Sequence, residues 1–301
     1  MPPPIFCATT TRAWGRPASA SASRRRRLTL FGTLALLLLP LGHVSAQLMV
    51  HPTRIVLEKN QRSAQIEIIN NSNEPATYRI TLVNRRMDVN GGFAVVETPA
   101  PGEQFADGML RYSPRRATLA PGASQVVRIM TRKPADLAPG EYRSHLLFAK
   151  QPDPAGPTSI ETRDSNNRGD IGVSLTALVG VSIPVIVREG DTAATVSMGN
   201  IALSKPSAGQ PLVVSMDMRR SGNQSVYGDL SVSFTSAGGT LREIGSVGGV
   251  AVYAPNELRH AKLLLTLPAG MVLANGTLTA SYRERIEHGG ALLAEASLSL
   301  P

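Results

Sequence analysis

Short runs in which apolar and polar residues alternate recur along the chain after residue 46, and clusters of Gly, Pro and Asn separate them. For example, Ala64, Ile66 and Ile68 alternate with polar residues, and the alternation resumes at Tyr78 beyond a turn-forming segment. A period of two is typical of half-buried β-strands, and no window has the 3.6-residue period of an amphipathic helix. We therefore predict an all-β fold.

Two interruptions divide this pattern. Residues 151–170 are rich in Pro, Gly, Asp, Asn, Ser, Thr and Arg, which predicts a mobile loop of a length that is usually functional. A second break falls at residues 188–191, and strand-length runs continue after it. The simplest interpretation is two β-sandwiches in tandem, over residues 47–188 and 189–301.

One predicted strand is unusually long. Every odd position from 171 to 183 is apolar, and the even positions are mostly small or polar. Such a segment would extend about 43 Å, against about 17–20 Å for a common strand. It is either a core strand that happens to be long or a strand that offers its first half to another protein, because an apolar edge strand tends to pair with other chains. The candidate donated side chains are Ile171, Val173, Leu175, Ala177 and Val179.

The net charge of +9 is concentrated near the N-terminus. Residues 1–46 contain six Arg and no Asp or Glu, so the remaining 255 residues carry 25 basic and 22 acidic residues, or +3. We therefore expect no nucleic-acid partner. Arginines at 24–27, an apolar stretch at 28–41 and small residues up to Ala46 indicate an export signal that is cleaved after Ala46.

The alternative to cleavage is a membrane anchor, but the apolar stretch is shorter than the roughly 17–25 residues that a spanning helix needs. The pattern does not decide between the general secretory route and twin-arginine export. The single cysteine, Cys7, lies in the same segment, so the exported chain would fold without disulfides. Because secreted eukaryotic domains of this size usually contain disulfides, we expect the bacterial periplasm.

Residue patterns for catalysis or metal binding are missing from the sequence. The histidines after the signal fall in no recognised metal spacing, and neither G-x-S-x-G nor a P-loop occurs. The glycine-rich run at 245–249 is not followed by a helical pattern, so it predicts a turn. We predict a protein that is not an enzyme, with no cofactor, no metal and no small-molecule substrate.

Several short motifs follow one another along nearly the whole chain after the signal. They are His-Pro-Thr-Arg-Ile-Val at 51–56, Ile-Ile-Asn-Asn at 68–71, Ser-Pro-Arg at 113–115, Leu-Ala-Pro-Gly at 119–122, Tyr-Arg-Ser at 142–144, the alternating strand, and Pro-Val-Ile-Val-Arg at 184–188. No single motif is specific, but their order and spacing resemble the periplasmic pilus (fimbrial) chaperones of the chaperone/usher pathway. In detail the chain is more similar to their divergent, archaic-type branch.

The resemblance implies two immunoglobulin-like domains in an L-shaped arrangement with an interdomain cleft. Such chaperones bind pilus subunits that lack their final strand and lend them a G strand, here residues 171–187, which follows the F–G loop at 151–170. An outer-membrane usher then exchanges that strand for one from the next subunit. The implied partners are therefore pilin subunits and an usher, and self-association of the free protein is left open.

By the family motif, Arg54 corresponds to the arginine that binds the C-terminal carboxylate of the subunit, and a planar guanidinium suits a planar carboxylate. The neighbours of Arg54 alone favour a solvated arginine on an edge strand, and the resemblance along the whole chain reverses that preference. Pro184 stands where familiar members carry a lysine as the second cation, so we nominate Arg143 as the replacement. Arg188 corresponds to an interdomain arginine that pairs with acids, in a network that must differ here.

The alternative function is a fimbrial subunit or an adhesin-like β-sandwich binding protein of the cell surface. A subunit needs an N-terminal donor segment before one incomplete domain, whereas the long strand here is internal. A carbohydrate-binding adhesin usually has more aromatic residues than this chain, in which aromatic residues make up 4% and the single tryptophan, Trp14, lies in the signal. We therefore favour the chaperone.

Overall fold

The computed structural model describes residues 48–152, 180–204, 211–239 and 241–301. Within these ranges the regular elements are β-strands and two short 3-10 helices, at Asp107–Met109 and Ile286–His288, so the prediction of an all-β fold is confirmed. No helix in the described ranges is long and apolar enough to cross a membrane. The predicted signal, most of the 151–170 loop and the five candidate donor residues, Ile171, Val173, Leu175, Ala177 and Val179, lie outside the described residues.

The strands follow the chain in this order: β1 (Leu48–His51), β2 (Ile55–Leu57), β3 (Ser63–Asn70), β4 (Ala76–Val83), β5 (Arg85–Met87), β6 (Phe93–Val95), β7 (Leu110–Ser113), β8 (Arg116–Leu119), β9 (Ser124–Thr131), β10 (Gly140–Lys150), β11 (Gly180–Glu189), β12 (Ala194–Leu203), β13 (Val213–Gly222), β14 (Val226–Ser236), β15 (Arg242–Val252), β16 (Leu258–Leu264), β17 (Gly276–Glu284) and β18 (Leu292–Leu300).

Strands β1 to β11 form the first sandwich. One sheet has the order β1-β3-β9-β7 and is antiparallel throughout, and the other has the order β2-β11-β10-β4-β8, in which β2 and β11 run parallel. Strands β5 and β6 form a separate hairpin. The second sandwich pairs a sheet of order β12-β13-β16 with one of order β15-β14-β17-β18. The boundary at 188–189 stays a prediction; β11 ends at Glu189.

Alternation along the strands builds a separate apolar core in each sandwich. On β3, Ile66 and Ile68 are fully buried while Glu67 between them is exposed. On β11, Ile183 and Val185 point into the same core, so the second half of the long alternating segment belongs to its own sheet. The second core contains buried residues from both of its sheets, including Met216, Phe234, Leu278 and Tyr282.

A third, small apolar cluster joins the two sandwiches. It consists of Met87 and Ile186 from the first sandwich and Ala251 and Tyr253 from the second. Next to it, the β5–β6 hairpin reaches the second sandwich, where the backbone N–H of His260 donates to the Val89 carbonyl at 2.6 Å. The outer face of the sheet that contains β11 is therefore covered locally by the second sandwich.

Asn70 is a fully buried polar residue that ties two connections of the first sandwich together. Its side-chain N–H groups donate to the carbonyls of Glu74 and Leu119 at 2.8 and 3.0 Å, and its Oδ1 accepts from the backbone N–H of Ser72 at 3.1 Å. The bond to Leu119 is buried and links β3 to the end of β8, and the bonds to Ser72 and Glu74 hold the turn that follows β3.

We expect Asn70→Ala to lower the free energy of unfolding by about 2–4 kcal/mol, because it removes the hydrogen bonds of a fully buried side chain that joins two connections. Urea unfolding of the purified chain measures this change. The neighbouring exposed residue provides the control, since Asn71→Ala should change stability by no more than about 0.5 kcal/mol. Equal effects of the two substitutions would contradict this role of Asn70.

Candidate anion-binding site

The site begins with the outward-facing residues of β10. Tyr142, Leu146 and Phe148 point into the first core. The odd-numbered positions of the strand, which include Glu141, Arg143 and His145, therefore point to the opposite face of the sheet. That face is nevertheless covered, and these three side chains belong to residues that are at most 6% exposed. Desolvation of charged groups is costly, so each must be neutralised or paired.

The register of the sheet brings Arg54 close to this face of β10. Val56 pairs with Ile186, and Ile186 pairs with Arg143, so these three residues form one row across β2, β11 and β10. Arg54 lies two residues before Val56 and therefore points to the same face. Positions 54 and 143 are thus brought together by strand pairing, across 89 positions of sequence.

Arg143 is held mainly by backbone carbonyls and an aromatic ring. Its Nη1 donates to the Ala254 carbonyl at 3.2 Å, its Nη2 donates to the Arg85 carbonyl at 3.4 Å, and its Cζ lies 4.3 Å from the ring centroid of Tyr253. Its Nε is buried without a hydrogen-bond partner. Burial lowers the pKa of the Arg143 guanidinium. Tyr253, Glu141 and Glu103 act in the opposite direction, whereas the positive charge of Arg54 lowers this pKa further.

Arg54 lies against the same tyrosine. Its Cζ is 4.6 Å from the ring centroid of Tyr227 and 5.5 Å from that of Tyr253, and its Nη1 is buried without a partner. Both rings come from the second sandwich, and such cation–π contacts favour a guanidinium most where water is excluded. The structure therefore places the two predicted anchor residues, Arg54 and Arg143, around one aromatic side chain.

A third arginine, Arg85, lies at this site and was missed by the sequence analysis. Arg85 and Met87 point to the same face of the three-residue strand β5, and Met87 packs in the cluster that joins the sandwiches. The Arg85 Nε is buried without a partner. The only feature of the sequence that points to Arg85 is its position two residues before Met87, which places both on one face of a strand. This signal is weak, because many polar residues have an apolar neighbour two positions away. Tyr227 and Tyr253 gave no signal that distinguished them from other strand residues.

His145 is buried between these arginines and is neutral at pH 7. Its ring meets Phe93 edge-on at 5.5 Å between centroids, and its Nδ1 has no hydrogen-bond partner. Burial, followed by the charges of Arg143 and Arg85, lowers the pKa of His145 to about 3. Arg54, Arg85 and Arg143 form no ion pair with any of the described residues. The cluster therefore carries unneutralised positive charge and suits an anion.

Arg188, the predicted interdomain residue, lies in a different and neutralised network. Its guanidinium pairs with Glu58 and, through Nε at 3.1 Å, with Glu141. Glu141 also accepts hydrogen bonds from the backbone N–H of Ser225 at 3.0 Å and from the Ser225 hydroxyl. Contact with the second sandwich in this network is thus made by Glu141, which lies two residues before Arg143.

Pro184 is buried beside the site and pairs with His145 across β10 and β11. It contributes no charge, so β11 supplies no cation next to Arg54; Arg143 comes from β10 and Arg85 from β5. Among the described residues, no three His, Cys, Asp or Glu side chains group closely enough to hold a metal ion.

Comparison with known proteins gives structural likenesses only. No protein-family model matches the chain, and no curated protein matches its sequence. The chaperone YadV, known from a crystal structure, is 13% identical in sequence to this chain, with a TM-score of 0.41. The Pseudomonas aeruginosa CupB2 chaperone is also 13% identical, with a TM-score of 0.43. Each alignment covers 84% of this chain and 100% of the chaperone.

A third solved structure is the CsuC–CsuE chaperone–tip adhesion subunit pre-assembly complex from archaic chaperone-usher Csu pili of Acinetobacter baumannii. The matched chain is 11% identical, with a TM-score of 0.40, and the match covers 85% of this chain and 100% of that chain. None of these likenesses reaches a TM-score of 0.5, and the function proposed below is derived from the residues of this chain.

The pKa of His145 predicts how stability depends on pH. The folded pKa of about 3 lies below the unfolded value of about 6.5, so the unfolded chain takes up a proton first as the pH falls. The contribution of neutral His145 to the free energy of unfolding is fully present above about pH 6.5. It decreases by up to about 1.4 kcal/mol per pH unit as the pH falls from there towards about pH 3. Urea unfolding between pH 7 and pH 4 should show this loss in the wild-type chain and not in His145→Gln.

The exposed residue His51 provides the matched control for this experiment. His51→Gln should keep the wild-type pH dependence. If His145→Gln and the wild-type chain lose stability in parallel as the pH falls, His145 is not the group responsible.

Proposed function

We propose that this protein is a periplasmic chaperone of pilus subunits that binds a subunit with its G strand, residues 171–187, and holds the C-terminal carboxylate of the subunit at Arg54 and Arg143. The observation that carries this proposal is the meeting of these two arginines at the Tyr253 ring, each with a buried nitrogen that has no partner. The sequence analysis had assigned Arg54 by the family motif and had nominated Arg143 as the replacement for the cation that Pro184 lacks.

A carboxylate is the ligand that these groups fit best. Each guanidinium offers several N–H donors in a plane, and a carboxylate accepts two of them side by side. In a site from which water is largely excluded, such a charge-assisted pair is stronger than on an exposed surface, and an unpaired buried guanidinium is unfavourable. A subunit terminus would therefore neutralise charge that the described part of the chain leaves unpaired.

The anchor would also fix the register of strand pairing. Pro184 lies beside the site on β11, and the chain runs from there back through Ile183 and Val181 towards Leu175. A subunit strand that ends at the arginines would be aligned residue by residue with this segment, because a slip of one residue turns every side chain to the opposite face. The apolar side chains at the odd positions would then fill the groove left by the missing strand of the subunit.

Strand donation answers a physical need of the subunit. A sandwich without its final strand exposes an apolar groove and the unpaired backbone groups of a sheet edge, and both promote aggregation. A chaperone that covers them acts by binding alone and needs no catalytic residue. Delivery to an outer-membrane usher, where the lent strand is replaced, completes the proposed role.

The carboxylate anchor is tested with Arg54→Gln and Arg143→Gln. The chain is first co-expressed with the small fimbrial subunit that copurifies with it, and the periplasmic level of that subunit is measured by immunoblotting. We expect each substitution to lower that level at least about tenfold, since a buried charge-assisted contact is lost. Thermal unfolding of each purified variant shows whether it remains folded.

An arginine outside the site provides the control for charge. Arg128 is exposed on β9, in the other sheet of the first sandwich, so Arg128→Gln should leave the subunit level unchanged. Wild-type levels of subunit with both Arg54→Gln and Arg143→Gln would refute the anchor.

Strand donation is tested separately with Leu175→Glu. A carboxylate at a donated apolar position should abolish copurification of the subunit, because it would be buried in the apolar groove without a partner. The midpoint of thermal unfolding should change by no more than about 2 °C, since Leu175 is expected to serve the partner rather than the chaperone core. Ser174→Glu, on the opposite face of the predicted strand, should retain the subunit; equal losses with both variants would contradict donation of the odd face.

A further inference from the structure

The charge at the site exceeds what one carboxylate can neutralise. Arg54, Arg85 and Arg143 are three guanidinium groups, and arginine stays protonated in proteins. The two carboxylates that act electrostatically on Arg143 are Glu141 and Glu103, but each is already paired with another arginine, Arg188 and Arg86 respectively. A ligand with a single negative charge would therefore leave two buried or half-buried cations without a counter-charge.

The three cations are also spread out rather than focused on one point. Arg54 lies over Tyr227 and Tyr253, and Arg143 lies over Tyr253. The Tyr253 ring meets Phe93 at 5.9 Å between centroids, and Phe93 in turn meets His145 at 5.5 Å.

Arg85 acts at the far end of this aromatic row. Its charge contributes to the lowered pKa of His145, and its carbonyl accepts from Arg143. The positive charge is therefore divided between the Arg54–Arg143 pair at Tyr253 and Arg85 next to His145. This distribution matches a ligand with two separated negative groups better than it matches one carboxylate.

Four hydrogen-bond groups of these residues are buried without a partner. Arg54 Nη1, Arg85 Nε and Arg143 Nε are buried without a partner, and so is His145 Nδ1. Buried polar groups of native proteins normally have partners, so a set of three unpartnered arginine nitrogens indicates where acceptor atoms are to be supplied. The acceptors would have to reach Arg85 as well as the Arg54–Arg143 pair.

We propose that this site binds two carboxylates of one subunit, namely its terminal carboxylate and the acidic side chain of a C-terminal Asp or Glu. The first is held by Arg54 and Arg143, and the second is held by Arg85 beside His145. This inference rests on the proposed function and deepens it, because it specifies the end of the subunit that the chaperone selects. Arg85 is then a residue that determines specificity rather than a general anchor.

The experiment compares four acetylated tetrapeptides, Thr-Val-Thr-Asp and Thr-Val-Thr-Asn, each with a free or an amidated C-terminus. These carry two, one, one or no negative charges. Binding to the wild-type chain is followed through the ¹⁵N–¹H NMR signals of the arginine side chains. The Nε signals of Arg85 and Arg143 and the Nη signals of Arg54 report on the unpartnered donors. We expect the Asp peptide with a free terminus to bind at least about tenfold more tightly than either singly charged peptide, because it gains a second charge-assisted contact.

Variants then assign the second contact. Arg85→Gln should reduce the affinity for the doubly charged peptide to that for the singly charged Asn peptide, and Arg85→Lys should restore part of the difference. Arg128→Gln removes one positive charge outside the site and should leave all four affinities unchanged. Because the comparison of peptides on the wild-type chain needs no variant, it holds even if Arg85→Gln fails to fold.

The outcomes separate this inference from the proposed function. If the free Asp and Asn peptides bind with affinities within twofold, two-carboxylate selection is refuted, while a preference for free over amidated termini that Arg54→Gln removes still supports the anchor. If free and amidated peptides bind equally, or if none shifts the arginine signals at 10 mM, both the inference and the carboxylate anchor are refuted.

Discussion

The cover that the second sandwich places over one face of the first is the constraint on which the rest of the site depends. Without it, the outward residues of β10 would be solvated, and an arginine or histidine there would need no partner. With it, Arg143 is 6% exposed and His145 is 3% exposed. Desolvation then decides which charges the protein can keep and which ligand they can take.

The protein meets this constraint in two ways within a few residues. Glu141 is neutralised internally, since Arg188 pairs with it and Ser225 of the second sandwich donates to it. Arg143 has only carbonyls and an aromatic ring as partners. The first arrangement joins the sandwiches, and the second leaves a positive charge without an ion-pair partner among the described residues. The neighbouring histidine avoids the problem by remaining neutral, as its pKa of about 3 indicates.

Rigid placement of the arginines follows from the strands that carry them. Arg143 lies within β10, and Arg54 directly precedes β2, which pairs with the same sheet. Tyr253 holds both guanidiniums from the second sandwich, so any change in how the sandwiches pack would alter the spacing between the two cations. A site of this kind favours selectivity, because a rigid set of donors discriminates between ligands of different shape.

Local patterns in the sequence determined the β class and much of the core. Alternation at Ile66 and Ile68 depends only on neighbours two residues apart, so the strand and its buried face could be predicted without knowledge of the rest of the chain. Arg54 was nominated through resemblance of motifs and Arg143 as the replacement for a cation missing at Pro184, and the structure shows that strand pairing brings them to one ring.

The tertiary structure alone decided which charged residues are buried and where charge is left unpaired. Arg85 looks like any polar residue of a short strand, and Tyr253 looks like any strand-end aromatic, until the packing of one sandwich on the other is known. Burial of these residues comes from segments more than a hundred positions apart, and no local period encodes a contact of that range. The sequence therefore determined the strands and their faces, whereas the contact between the sandwiches determined the chemistry of the site.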